Sequence, residues 1–86
     1  MKPRKLLAKL QLSQANVRLA DLERLAIALG FILDRISGSH HIYIHPRHPE
    51  AQLNFQPDKS GQAKPYQVKQ MLLLIDAYNL LIADDR

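Results

Sequence analysis

Two adjacent histidines, His40 and His41, follow a Gly-containing turn and begin an alternating segment that ends at His45. Period-two alternation after such a turn predicts a β-strand that leaves a hairpin. Successive residues of a strand point to opposite faces of the sheet, so only one of the pair can face a core. Because histidine exchanges a proton near neutral pH, an exposed one on a rigid strand is a candidate for acid–base chemistry.

The two faces of this strand carry His40, Ile42 and Ile44 on one side, and His41, Tyr43 and His45 on the other. We expect the face with His40 to be exposed. Leu53 and Phe55 of a following strand, together with Phe31 and Leu33 of a preceding one, provide enough core for two helices. His41 and His45 are then expected to be structural side chains that face the core.

A metal site is a weaker explanation of the histidines. Imidazole suits zinc, copper and nickel, but consecutive strand residues diverge, and no helical i, i+4 histidine pair or nearby carboxylate supports such a site. The chain contains no cysteine, which excludes a disulfide framework, a thiol nucleophile and a Cys-ligated zinc. We therefore predict neither a metal nor a cofactor.

The elements that must position the histidine strand are predicted from periodicity and turn residues. They are a helix over 20–29 that Gly30 ends, strands over 31–36, 40–45 and 51–56, and a helix that Pro65 begins and that runs to about Asn79. The Ser37-Gly38-Ser39 turn joins the first two strands, and a polar loop between Pro46 and Pro49 precedes the third. The sequence thus predicts an α+β fold in which a three-stranded antiparallel sheet packs on two helices.

Length and charge distribution suggest how the chain is divided. Eighty-six residues form one domain, and the net charge of +4 favours an anionic partner, although a solvated basic surface is an equally simple explanation. Residues 1–18 contain five basic residues and no acid, and leucines at helical spacing predict a short helix after Pro3. We predict a basic N-terminal extension over 1–16, the main domain over 17–82 and an acidic tail over 83–86.

Membrane association is not expected from the sequence. No apolar run approaches the roughly 18–20 residues that span a bilayer, and the basic N-terminus lacks the features of a signal peptide. We therefore expect a soluble, cytoplasmic protein with no membrane partner.

Three segments form a recognisable combination: Gly30 to Arg35, then Gly38-Ser39-His40-His41-Ile42-Tyr43 with His45-Pro46, and Lys64-Pro65 at the start of a helix. Together they resemble the HicA family of toxins from bacterial toxin–antitoxin pairs. The resemblance covers roughly residues 17–80. It implies a fold like that of double-stranded-RNA-binding domains, a metal-independent ribonuclease activity against messenger RNA, and a HicB-like antitoxin that binds and silences the toxin.

The resemblance also implies roles for particular residues. The first histidine after Gly-Ser is the catalytic one in that family, which corresponds to His40 here. The chain departs from the family pattern in its extension over 1–16 and in Ile42 and Ile44, where shorter members often have polar residues. We assign antitoxin contact to the exposed face with His40, Ile42 and Ile44.

Cleavage of RNA without a metal can use the 2′-hydroxyl of the substrate, which needs a general base and cations around the phosphate. We assign RNA contacts to Arg35, Ser39, Lys59, Lys64 and Lys69. The lysines cluster around the start of the second helix, where free N–H groups favour phosphate, or they form a solvated face. Arg35 is placed to hold a phosphate bidentately, or to pair with Asp34 or Asp58.

Two other functions are compatible with these residues. One is a non-catalytic RNA-binding module of the same fold, in which the histidines are contacts only. The other is a protein-interaction domain that assembles through Ile42, Ile44 and the leucine-rich second helix. Cleavage that depends on His40, and RNA affinity that depends on salt, distinguish the ribonuclease from these two.

Overall fold

The computed structural model describes residues 2–82 and contains three helices and three strands within that range. They are α1 (Pro3–Leu12), α2 (Leu19–Ala28), β1 (Ile32–Ser37), β2 (His40–His45), β3 (His48–Phe55) and α3 (Pro65–Tyr78). The predicted order of a helix, three strands and a helix is confirmed, as is the short helix after Pro3. The fold is α+β and resembles a double-stranded-RNA-binding domain.

The three strands form one antiparallel sheet in the order β1-β2-β3, so the histidine strand β2 is central. A two-residue turn, Gly38-Ser39, joins β1 to β2, and Ser37 pairs with His40 at its base. Gly38 has a φ of 60°, which glycine adopts without the steric cost that other residues meet, as the first central residue of a tight hairpin turn requires. The turn therefore fixes His40 as the first residue of β2.

The predicted polar loop between Pro46 and Pro49 is wrong. Only Pro46 and Arg47 form a turn, and β3 begins at His48 rather than at Ala51. Proline is tolerated at position 49 because β3 is an edge strand and the β2–β3 register shifts after Ile44, where a missing backbone donor is acceptable. The consequence is a longer third strand and a shorter connection.

The core lies between one face of the sheet and the helices. The fully buried members with the largest side chains are Phe31, Phe55, Leu10, Leu22, Leu25, Leu29, Leu53, Met71 and Val68. As predicted, Leu53 and Phe55 face the helices, whereas none of the described helices covers the opposite side of the sheet. Leu6 and Leu10 of α1 belong to the same core, so α1 packs as part of the fold. The division at residue 16 stays a prediction, and the predicted tail over 83–86 lies outside the described residues.

The prediction that Leu33 contributes to the core is wrong. All six residues of β1 are exposed, and Leu33 itself is 47% exposed. β1 is an edge strand that the helices do not cover, and an irregular register between Leu33 and Arg35 interrupts its pairing with β2. Phe31, which precedes the strand, is buried as predicted.

The end of α2 is fitted closely to the sheet. Leu29 caps the helix, and Gly30 follows with a φ of +100°, a conformation that residues with a Cβ rarely adopt. A Cβ at Gly30 would lie 2.8 Å from Nε2 of His45. Glycine is therefore required here by its backbone conformation and by the proximity of the His45 ring.

None of the helices within residues 2–82 combines the length and the apolar character that a bilayer-spanning segment needs.

Candidate active site

His40 lies on the uncovered face of the sheet, as predicted, and a single side chain orients it. Its ring is half-buried, and Nδ1 is 2.9 Å from Oδ1 of Asn54, which belongs to β3. Because this amide oxygen accepts a hydrogen bond, the neutral ring carries its proton on Nδ1. The lone pair of Nε2 is then available to take a proton from a ligand on the open face.

Ile42 and Ile44 share this face with His40, but the expectation that both are exposed is wrong for Ile42. Ile42 is 8% exposed and does not belong to the core beneath the helices. It occupies the middle of the central strand, where Arg35 and Asn54 are its direct neighbours on the two sides, and cross-strand neighbours shield such a residue without a covering helix. Ile44 is half-buried, so it offers a partner more surface than Ile42 does.

A further apolar residue on this face was not predicted. Ile32 of β1 is paired with Ile44 and is 50% exposed. The alternation of β2 indicated which of its own residues face solvent, but the register between β1 and β2 was needed to place Ile32 beside Ile44. Together with the shielded Ile42, the two residues form an apolar part of the face opposite the helices, and they contribute most of its exposed surface.

Arg35 is a diagonal neighbour of His40 on the same face. It pairs with Ile42, two residues along the strand from His40. Of the two carboxylates predicted as partners of Arg35, the structure has Asp34, which forms a short ion pair with Nη1 of Arg35.

Asp58, the other predicted partner of Arg35, instead orders its own loop. Hydrogen bonds from the Ser60 hydroxyl and the Gln62 backbone lower the pKa of this exposed carboxyl.

A chain of hydrogen bonds connects the turn before His40 to the start of α3. Nε2 of Gln56 donates to Oγ of Ser39 at 3.1 Å, and the backbone carbonyl of Gln56 accepts from Nε2 of Gln67 at 3.2 Å. Oε1 of Gln67 then accepts from the backbone N–H of Lys64, also at 3.2 Å. Gln67 is completely buried, and its hydrogen bonds connect Lys64, the N-cap of α3, through Gln56 to Ser39.

The other two predicted RNA-binding lysines are not brought to His40. Lys59 lies in the exposed loop before α3. Lys69 is exposed on α3, where it lines a shallow groove together with Gln14, Leu72, Leu73 and Asp76 on the helix side of the molecule. Only Lys64 is linked to the turn that precedes His40.

The opposite face of β2 contains a second group of polar side chains. Nδ1 of His41 is 3.1 Å from Oε1 of Glu23 in α2, and the hydroxyl of Tyr43 donates to Oε2 of the same carboxylate at 2.6 Å. Burial raises the pKa of the Tyr43 phenol well above its ordinary value, and the hydrogen bond to Glu23 adds to the effect. These contacts tie α2 to the sheet, and sequence reasoning missed the role of Glu23.

His45, at the other end of β2, is buried and fully satisfied. Its Nε2 is 3.0 Å from the Leu29 carbonyl, and its Nδ1 accepts from the backbone N–H of Arg47 at 3.2 Å. The ring packs edge-on against Phe31, with centroids 5.1 Å apart. Both nitrogens are thus occupied, and the expectation of a structural role for His45 agrees with its contacts.

Metal-ligating side chains do not converge in the described part of the chain. Within residues 2–82, no group of three histidine, aspartate or glutamate side chains is arranged to hold a metal ion. The four histidines are distributed over both faces and both ends of the sheet, and His48 packs against Tyr78 at the end far from His40.

The fold and this site define a class: a small α+β protein whose sheet is covered by helices on one face and presents a solvent-facing histidine on the other. The sequence model of the family described as HicA toxin of bacterial toxin–antitoxin systems matches residues 20–77, which is more than half of the chain. The chain therefore belongs to the HicA toxin family. No curated protein and no solved structure gives a significant match.

Membership of this family makes the protein a toxin of the toxin–antitoxin type and implies an antitoxin as its partner. The matched region begins in α2 and ends in the last turn of α3, so it includes the whole sheet and His40. Helix α1 lies outside the matched region.

Proposed function

We propose that the protein is a metal-independent ribonuclease that cleaves messenger RNA, with His40 as general base, and that a HicB-like antitoxin neutralises it. The observation that carries the proposal is the environment of the His40 ring. Asn54 engages Nδ1 and leaves Nε2 available on a face that no helix within residues 2–82 covers. A buried histidine with both nitrogens bonded, such as His45, has no free nitrogen for the reaction.

In the proposed reaction the 2′-hydroxyl of a bound nucleotide attacks the adjacent phosphorus. Nε2 of His40 accepts the hydroxyl proton as the new oxygen–phosphorus bond forms, and the bond to the 5′-oxygen of the next nucleotide breaks. The products are a 2′,3′-cyclic phosphate and a free 5′-hydroxyl. Because one imidazole does not serve as base and acid at the same moment, the departing oxygen takes its proton from a second group, a water molecule or a lysine.

Two of the proposed RNA-contact residues support this chemistry from positions near His40. The guanidinium of Arg35 retains donors beyond those that Asp34 occupies, and it suits the non-bridging oxygens of the phosphate. Lys64 is the N-cap of α3, where the positive end of the helix dipole also favours an anion. We propose that Ser39 contacts the RNA beside the scissile phosphate, and that Lys59 and Lys69 contact it at a distance.

The antitoxin is proposed to cover the same open face. His40, Ile42 and Ile44 are the proposed contacts, with Ile32 added because it lies beside Ile44 and is half exposed. An antitoxin seated there would exclude RNA from Nε2 of His40. Ile44 and Ile32 offer most of the apolar surface, because the neighbours of Ile42 already shield it.

A non-catalytic RNA-binding module is the alternative, and one observation favours it. His41 and His45 lie on the other face, so no second histidine within residues 2–82 accompanies His40 to serve as the acid. The same contacts that would position a substrate would then only bind it.

The test is cleavage of a defined RNA by the purified protein in the presence of EDTA. We expect cleavage to products with 2′,3′-cyclic phosphate ends, and a loss of about 10²–10⁴-fold in rate for His40→Ala. A substrate with a 2′-deoxy nucleotide at the cleaved position should resist. His41→Ala is the matched control, one residue away on the other face, and should retain cleavage per folded molecule.

Each contrary result has a defined meaning. Equal cleavage by His40→Ala would contradict the role of this ring, and efficient cutting at a 2′-deoxy position would exclude internal attack. Tight binding of RNA with no cleavage at all would establish the binding module instead.

A further inference from the structure

Strand β1 forms an edge of the sheet that no helix within residues 2–82 covers. All six of its residues are exposed, and none of them takes part in the described backbone hydrogen bonds of turns and loops. The outer N–H and C=O groups of such an edge pair readily with another strand. The opposite edge, β3, is protected by Pro49, which cannot donate, and by the exposed charge of Glu50. Because β1 contains neither proline nor lysine, it is the less protected edge.

Apolar side chains project from both faces of β1. Ile32 lies on the face that carries His40, whereas Leu33 and Ile36 lie on the face of the helices. Ile27 of α2 is also exposed and follows by one helical turn the residue that contacts the β2 partners of Leu33 and Ile36. A strand placed alongside β1 would reach the apolar groups of both faces, which a helix laid on one face would not.

The faces of β1 are arranged symmetrically about its midpoint, between Asp34 and Arg35. The residues whose sheet partners lie on the His40 face are Ile32, Arg35 and Ser37, and those whose partners lie on the helix face are Leu33 and Ile36. In a regular strand of six residues the first and the last point to opposite faces. Here the irregular register at Asp34 brings both ends of the strand to the same face. An inverted copy of β1 can therefore pair with β1 without exchanging faces.

We propose that β1 is a dimerisation surface, which pairs antiparallel with β1 of a second copy of the chain about a two-fold axis between Asp34 and Arg35. Leu33 of each copy would lie opposite Ile36 of the other, so that apolar side chains meet on the helix face. Asp34 of each copy would lie opposite Arg35 of the other, which forms two oppositely charged pairs. This charge complementarity favours a second copy over an unrelated strand, and such an isologous contact closes as a dimer.

The fold leaves room for this pairing. Because the helices do not cover β1, the two adjoining β1 strands would separate the helical layers of the two copies. The result is one six-stranded sheet, with His40 of both copies on the same uncovered face. Ile32 of the second copy would lie beside Ser37, the residue paired with His40, and would extend the apolar surface next to the site. The inference does not rest on the proposed function, because the pairing involves no RNA.

The test places the two charges of the pair on different copies. Asp34→Arg alone and Arg35→Asp alone each put like charges opposite one another twice, so each variant should have a dissociation constant roughly tenfold higher than the wild type or more. An equimolar mixture of the two variants restores opposite charges at both positions, and a heterodimer should form with about the wild-type affinity. Both residues are exposed, so the loss of their contact within one chain costs little stability.

Sedimentation equilibrium measures the mass of the full chain. A contact through one short strand is small, so we expect the wild-type mass to rise from 9.8 kDa towards twice that value between about 10 µM and 1 mM. The matched controls are Glu50→Arg and Arg47→Asp, which make the same charge changes at exposed positions outside β1. Each control alone should dimerise within about twofold of the wild type, and mixing the two should add nothing.

A wild-type mass that stays at 9.8 kDa up to about 1 mM would overturn the proposal. So would a mixture of Asp34→Arg and Arg35→Asp that fails to recover the dimer, because the register about their midpoint would then be wrong. Equal recovery in the control mixture would overturn it as well, since general attraction between oppositely altered chains would explain the association. A monomer that cleaves RNA would retain the proposed function and lose only this inference.

Discussion

His40 and His45 begin and end the same strand, yet their surroundings differ in every respect that matters for chemistry. His40 lies on the uncovered face with one nitrogen oriented by Asn54, whereas His45 lies in the core with both nitrogens occupied. The five steps between them reverse the face of the sheet. Residue type and strand are the same for both histidines. The face of the sheet on which each ring lies therefore decides which one can exchange a proton with a ligand.

The largest expected effect is a difference in the free energy of unfolding between variants of the two histidines. His45→Ala should lower the free energy of unfolding by about 2–4 kcal/mol, because it leaves a cavity and removes the partner of the buried Leu29 carbonyl. His40→Ala should change it by less than about 1 kcal/mol, because an exposed hydrogen bond contributes little. Urea unfolding followed by circular dichroism measures both. Similar losses of unfolding free energy in the two variants would contradict the proposed difference between the two histidines.

The next effect concerns the side chain that orients His40. Asn54→Ala should lower the rate of RNA cleavage by roughly tenfold, because the ring loses the partner that keeps its proton on Nδ1. Asn54→Asp should restore the rate and move the pH–rate profile upward, since a carboxylate also accepts from Nδ1 and favours the charged ring.

A merely structural role for Asn54 would lower the melting temperature without moving that pH profile. Gln52, the next residue of β3 on the same face, provides the matched control. Gln52→Ala should leave both the rate and the pH profile unchanged.

The smallest expected effect concerns the face of the sheet that the helices cover, where the Tyr43 hydroxyl donates a hydrogen bond to Glu23. Tyr43→Phe should destabilise the protein by about 1 kcal/mol at neutral pH through loss of one hydrogen bond. The raised pKa of Tyr43 means that the fold favours the neutral phenol. Its contribution is complete below the ordinary pKa of 10.0 and is lost as the pH rises beyond that value.

The stability difference between the wild type and Tyr43→Phe should therefore shrink as the pH increases above about 10. Urea midpoints at several pH values from 7 to 11 measure this difference. A constant difference across that range would show that the phenol is not held neutral by the fold.

Most of the fold followed from local patterns. Leucine spacing predicts α2, Pro65 predicts the start of α3, and alternation together with the core residues Leu53 and Phe55 predicts that His40 lies on the open face. These properties depend on residues close together in the chain. The length of the loop after Pro46 was not predicted, because a proline in an edge strand looks locally like a proline in a loop.

The partners of the site residues were less predictable. Asn54 alternates with the core residues Leu53 and Phe55, which puts it on the open face, but its bond to His40 depends on a strand register that local sequence does not fix. Glu23 gave no signal for its contacts with His41 and Tyr43, because these depend on where α2 crosses the sheet. Gln67 did have a readable signal, since it stands three residues after the N-cap of α3, where a capping side chain is common.

The contact between Gly30 and the His45 ring makes two distant positions of the chain depend on each other. A side chain at position 30 would have to displace an imidazole that is already hydrogen-bonded on both sides. Mutations at these positions should therefore be epistatic: replacement of Gly30 becomes less harmful only after His45 has given way to a smaller residue. An evolving chain would accept the two changes in that order.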